Sequence, residues 1–211
     1  MSQIYIFSGM GVDKRVFNRI DFSNPDITFI DWITPNSNAS IQEYAGRISE
    51  RITSSNPVLI GLSFGGMIAV EISKLIPTEK IILIASAKTR HELPKLYINI
   101  SQTNLHQIAP AALLKLHHPL ADWFFGITAK EDRILLKNIL KDTDPNFLKW
   151  AIHQIVSWKN EHTPENVIHI HGDADRIIPI KNVRADYIIS DGGHFMTVTH
   201  ADEIGRILRL I

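Results

Sequence analysis

Six short apolar runs punctuate the chain, at Ile4–Phe7, Ile27–Trp32, Val58–Leu62, Ile81–Ala85, Val167–His171 and Tyr187–Ile189. Each is mostly apolar on both faces, which suits strands buried in a parallel sheet better than half-exposed antiparallel ones. Helical patterns lie between them. Ser40-Ile41-Gln42-Glu43 reads as a capping box, followed by an apolar stripe of Ile41, Tyr44, Ala45, Ile48 and Ile52. Gly65–Ile76 predicts a buried helix stopped at Pro77. Thr199 with Asp202 reads as a second capping box, ahead of Ile204, Ile207, Leu208 and Ile211 at helical spacing. Strands alternating with helices predict an α/β fold: a doubly wound, mostly parallel six-stranded sheet with helices on both faces.

The alternation breaks between Lys88 and about Pro164, where no strand pattern occurs. Lys130–Lys141 is helical, and Asp144 as N-cap with Pro145 behind it starts another helix through Leu148, Ala151, Ile152 and Ile155. The expectation is a single domain over 1–211 carrying a helical cap or lid inserted at about 88–164. The alternative is a helical subdomain that only stabilises the sheet. Leu113, Leu114, Leu116, Trp123, Phe124 and Phe125, together with Trp32, are candidates for an apolar pocket beneath it. Aromatic residues in such a subdomain are more often plain core.

The 22 basic residues balance 22 acidic ones, so no net charge steers the chain toward nucleic acid or an anionic membrane. The longest apolar runs are too short to cross a bilayer. With no basic segment ahead of Ile4–Phe7, no signal peptide is expected and a cytoplasmic location is the default. Cysteine is absent, which removes disulfides, thiolate metal sites and a cysteine nucleophile.

Gly61-Leu62-Ser63-Phe64-Gly65 matches G-x-S-x-G. The bare pattern arises by accident in about one chain of this length in fifteen. Its setting is more specific, because it follows a predicted strand and opens a predicted helix. The glycines permit a sharp turn that lifts the serine hydroxyl clear, with the positive end of the next helix aimed at it. Two rival glycine motifs fail. Met67 stands where a phosphate-binding lysine would be, and Lys14 occupies the third glycine of a dinucleotide fingerprint beginning at Gly9.

A serine hydroxyl needs a base, and the base needs an orienting carboxylate. Past the fifth and sixth runs lie Gly172-Asp173-Ala174-Asp175-Arg176-Ile177-Ile178-Pro179 and Gly192-Gly193-His194-Phe195. Both stretches follow strand C-termini, where ligands sit in open α/β sheets.

On these stretches the chain resembles the α/β-hydrolase superfamily over its whole length. The family's acid lies in G-x-x-D-x-x-x-P, which places it at Asp175, with Asp173 as rival and Asp191 as a plain turn residue. The base lies in a G-G-H turn before the last helix, which places it at His194. The resemblance implies Ser63 as nucleophile and an oxyanion hole of the backbone N–H groups of Phe64 and Met10. Ser8 stands where the family's oxyanion loop usually has histidine, which puts the scaffolding of that loop in question.

The implied activity is hydrolysis of a small-to-medium carboxylic ester or thioester through an acyl-enzyme, with a small-molecule substrate and no cofactor. A C–C bond hydrolase or lyase using the same three residues, or a ligand-binding receptor of low turnover, are the alternatives. Self-association into a homo-oligomer stays open. His169 and His171 share one strand face as metal ligands can, but no third ligand follows at a fixed spacing, so no metal site is expected. His117 and His118 read as a solvated helix end, and His200 as the start of the last helix.

Overall fold

The computed structural model describes residues 2–23, 26–36, 38–97 and 118–211. Strands β1 (Ile4–Phe7), β2 (Ile27–Ile30), β3 (Val58–Leu62), β4 (Lys80–Ile84), β5 (Val167–Gly172) and β6 (Tyr187–Ile189) form one sheet in the order β2-β1-β3-β4-β5-β6. Every pairing is parallel. The chain runs outward from β1 to β2, then returns to the other side of β1 and continues from β3 to β6. The order therefore reverses between β1 and β3, and the crevice outside their C-terminal ends is where such sheets hold ligands.

Alternation along the strands divides the core in two. Tyr5, Phe7, Leu59, Ile81 and Leu83 face α1 (Ile41–Ser49) and α2 (Phe64–Ile72). Ile6, Ile60, Leu62, Ile82 and Ile84 face the opposite side, where Met196, Val198 and Ile204 of the C-terminal helices pack. The box at α1 forms in full: Glu43 N donates to Ser40 Oγ at 3.2 Å and Ser40 N to Glu43 Oε2 at 2.7 Å. Two local expectations fail. Helix α2 ends at Ile72 rather than Ile76, because Leu75 N turns back to the Ile72 carbonyl at 2.8 Å and Ser73 Oγ to that of Val70. The Thr199–Asp202 box does not form. Thr199 closes a short helix, its Oγ1 lies 2.8 Å from His200 Nδ1, and His200 precedes the last helix without a side-chain cap.

Between β4 and β5 run α3 (Pro119–Phe125), α4 (Lys130–Asp142) and α5 (Pro145–Ser157). Asp144 caps α5, accepting from Asn146 N at 2.9 Å. The insertion straddles the sheet: Leu136 and Ile139 of α4 join the cluster on one face, and Phe147, Trp150 and Ala151 of α5 join that on the other. Leu113, Leu114, Leu116 and His117 lie outside the described residues. No helix among the described residues is long and apolar enough to cross a membrane.

His169 and His171 of β5 are fully buried. Their rings bond to each other, His171 Nδ1 to His169 Nε2 at 3.1 Å, instead of converging on a third ligand. Burial pushes both below the usual histidine range, although the Asp175 carboxylate partly offsets this at His171. In the unfolded chain the same imidazoles take up a proton near pH 6.5. The unfolded state then binds more protons, so this contribution is complete above about pH 6.5 and is lost as the pH falls below it. Urea unfolding at about pH 5.5 should give a lower folding free energy than at about pH 7.5, and replacing both histidines by apolar residues should flatten that difference. Equal stabilities at the two values would contradict the neutral burial of the pair.

Candidate active site

The turn that ends β3 is strained at its serine. Ser63 sits at φ 51°, ψ −119°, a conformation that costs a non-glycine residue about 1–3 kcal/mol. Neither Gly61 nor Gly65 has positive φ. The glycines permit the sharp turn by supplying room, while the serine itself carries the strain. A Cβ on Gly61 would lie 2.4 Å from Gly66 Cα, and one on Gly65 would lie 2.3 Å from the Ser8 carbonyl oxygen.

Several hydrogen bonds hold the bend. Ser63 N donates to the Ile84 carbonyl at 2.9 Å, extending the β3–β4 ladder by one residue. Ser86 Oγ donates to the Ser63 carbonyl at 2.6 Å. Ser86 belongs to no motif, so nothing in the sequence marks this role. Ser63 precedes α2 but makes no side-chain cap bond, which leaves its hydroxyl for other partners.

Two further strand-end loops, after β5 and β6, bring a carboxylate and an imidazole into line with this hydroxyl. His194 Nε2 lies 2.8 Å from Ser63 Oγ, and His194 Nδ1 lies 2.7 Å from Asp175 Oδ2. A carboxylate only accepts, so Nδ1 carries the proton and Nε2 is left to accept from the serine. Asp175 is buried, and its other oxygen accepts from Ile177 N at 2.8 Å and Ile178 N at 2.9 Å. Burial alone would raise its pKa. The His194 ring, the Ile178 N–H and His171 outweigh burial and hold the carboxyl below its usual range. Asp173 takes a different part: its Oδ1 accepts from Asp191 N at 2.7 Å in an exposed turn. Asp191 itself has φ 58°, as a turn residue can.

The loop after β1 presses against the serine, since a Cβ on Gly9 would come within 3.4 Å of Ser63 Cβ. Ser8, which stands in place of histidine, donates its Oγ to the Val12 carbonyl at 2.9 Å and so braces the loop from within. Phe64, as the first residue of α2, has an N–H with no intrahelical acceptor. Met10 and Phe64 both line the cavity that opens above Ser63.

That cavity holds about 300 Å³. Its described walls are apolar apart from Ser63, Tyr97 and His194, with Leu93, Ile152, Ile155, Val156 and Ile177 prominent among them. Tyr97 donates to the Ile177 carbonyl at 3.0 Å, and burial, with the Asp175 charge adding to it, pushes its phenol up to about 12. Of the aromatic candidates only Phe125 reaches the cavity, its ring edge-on to His194 with centroids 5.7 Å apart. Trp123 and Phe124 point outward, and Arg176 stacks on the Trp123 ring at 4.5 Å. Trp32 instead joins Tyr44, Phe64 and Phe147 in a ring cluster. Nothing in the sequence separates Ile152, Ile155 and Val156 from plain core, because α5 has a second apolar face that buries Phe147 and Trp150.

No family model matches the sequence, and no curated relative matches it. Solved structures do. A hydrolase from Oleispira antarctica is 17% identical with a TM-score of 0.70, over 100% of this chain and 90% of that one. An esterase from Exiguobacterium antarcticum is 14% identical with a TM-score of 0.70, covering 100% and 91%. A protein assigned to the α/β-hydrolase family from Desulfitobacterium hafniense is 18% identical with a TM-score of 0.66, covering 99% and 95%. Likeness at these identities speaks to architecture. With the all-parallel strand order and the strand–turn–helix at Ser63, it shows that this chain has the α/β-hydrolase fold.

Proposed function

We propose that this chain is a hydrolase that cleaves a small-to-medium carboxylic ester or thioester through an acyl-enzyme on Ser63. The observation that carries the reading is the unbroken Asp175–His194–Ser63 hydrogen-bond chain, at 2.7 and 2.8 Å, opening into an apolar cavity. Ser63 Oγ attacks the acyl carbon while His194 Nε2 takes its proton. Asp175 holds the tautomer and stabilises the imidazolium. The backbone N–H groups of Phe64 and Met10 receive the oxyanion, a contribution of about 3 kcal/mol per donor. The imidazolium protonates the departing alcohol or thiol. His194 then activates water, which releases the acid and restores Ser63.

The helices between β4 and β5 act as a cap in this reading. Ile152, Ile155 and Val156 of α5 supply one wall of the cavity, and the end of α3 sets Phe125 against His194. A volume of about 300 Å³ is at the small end for ligand pockets, and no charged side chain stands among its described walls. A short apolar acyl group fits this description, whereas a triglyceride or a charged peptide does not. Esterases and hydrolases among the solved structures of this fold agree with the reaction class.

A fluorophosphonate probe should label the wild type, and Ser63→Ala should abolish labelling with little change in melting temperature. Labelling that persists in Ser63→Ala overturns the assignment. Asp175→Asn should lower kcat by about three to four orders of magnitude. Asp173→Asn should leave kcat within about twofold, since that carboxylate serves an exposed turn. Within a series of p-nitrophenyl esters, short acyl chains should be cleaved fastest. Ile155→Trp, which narrows the cavity, should shift the preference to still shorter ones. An unchanged preference in that variant would move the acyl site elsewhere.

A further inference from the structure

The buried histidine pair on β5 has no part in the reaction as described, yet it abuts the acid. His171 Nε2 lies 2.8 Å from the Ile178 carbonyl and 3.5 Å from Asp175 Oδ2, the oxygen that also meets His194. Both neighbours are acceptors, so Nε2 carries a proton. With both rings neutral, His171 Nδ1 accepts from His169 Nε2–H at 3.1 Å, and His169 thereby selects the His171 tautomer. Ile178 is the hinge of the arrangement. Its N–H holds Asp175 Oδ1 at 2.9 Å while its carbonyl is tied back to β5 through His171.

We propose that His171 is a positioning residue for Asp175: its Nε2–H anchors the Asp175–Ile178 loop to β5 and turns a second N–H dipole toward the oxygen that orients His194. The proposal rests on the hydrolase reading above. A buried N–H near that oxygen competes with His194 for carboxylate charge, so its removal lets Asp175 and His194 hold their shared proton more tightly. The other ionisable groups facing this cluster are His169 on β5, Lys88 after β4, Tyr97 and His194. Lys88 is paired with Glu92 at 3.7 Å, and Tyr97 donates to the Ile177 carbonyl.

His171→Phe should lower kcat about tenfold at unchanged KM, the scale of losing a group that orients a functional side chain from behind. It should also move the acid limb of kcat/KM up by about half a pH unit and shift the downfield proton resonance of the His194–Asp175 hydrogen bond. Loss of a purely structural side chain would lower the melting temperature and leave the acid limb and the resonance in place, and that result overturns the proposal. Two polar variants keep the test decisive if the phenyl ring unfolds the chain. Glutamine can place an amide N–H where Nε2 stands, whereas asparagine is too short. His171→Gln should therefore keep the wild-type acid limb and resonance, and His171→Asn should behave as His171→Phe. Identical profiles for the glutamine and asparagine variants also overturn the proposal. The resonance needs no substrate, so a wrong substrate class, seen as wild type inactive on every ester, leaves it readable and is told apart from failure of the positioning role.

Discussion

The start of α2 rests on the end of β1 so closely that residue 65 has no room for a side chain. A Cβ there would meet the carbonyl oxygens of Ser8 and Phe7 at 2.3 and 2.4 Å. This approach places the loop after β1 beside Ser63, and the strained turn at Ser63 is the geometry that allows it. The cost of that φ is met around the bend, through the Ile84 and Ser86 hydrogen bonds and the burial of Phe64, Met67 and Ile68 against the sheet. The bend cannot relax without breaking contacts on β1, β4 and α2 together. That is how a residue can be kept in a sparsely populated conformation.

The helices between β4 and β5 are tied to the same region at several points. Trp158, just past α5, donates its Nε1 to Glu71 Oε1 of α2 at 2.7 Å, and Lys74 pairs with the other carboxylate oxygen at 2.8 Å. Glu71 is a buried charge, and leaving it without those donors would cost several kcal/mol. At the other end of the insertion, Phe195 N donates to the Phe125 carbonyl at 3.0 Å. Gly126 and Gly193 meet with no space for a Cβ on residue 193, which would lie 2.8 Å from that carbonyl oxygen. The loop bearing His194 is thus held by α3 as well as by β6. The described part of the insertion lines the cavity above Ser63 through Phe125, Ile152, Ile155 and Val156, and holds the loop that bears His194.

Asp175 shows how a buried charge is made tolerable at the C-terminal edge of the sheet. Two backbone N–H groups take one oxygen and His194 takes the other. Tyr97 and His171 hold the backbone that presents those N–H groups. A carboxylate satisfied in this way stays ionised and immobile, which is what fixing one tautomer of a neighbouring imidazole demands.

Much of this was legible in the sequence, and the reason is locality. Strand runs, the Ser40–Glu43 box, the Asp144 cap and the strand–turn–helix around Ser63 are decided by residues within about four positions of each other, where pattern and propensity act. The same rules misplace the end of α2 and propose a box at Thr199, because competing turns there were settled by packing. Asp173 and Asp175 are chemically identical and two residues apart. Only the pairing of the β5 loop with the His194 loop turns one inward and leaves the other in an exposed turn. The consecutive aromatics Trp123, Phe124 and Phe125 likewise look equivalent until Gly126 docks on Gly193 and leaves one ring beside His194. The sequence by itself determined the fold class, the order of the strands along the chain and the residue types available for chemistry. The tertiary structure decided which of those residues meet, where the strain lies and what encloses the cavity, because these depend on contacts between segments dozens of residues apart.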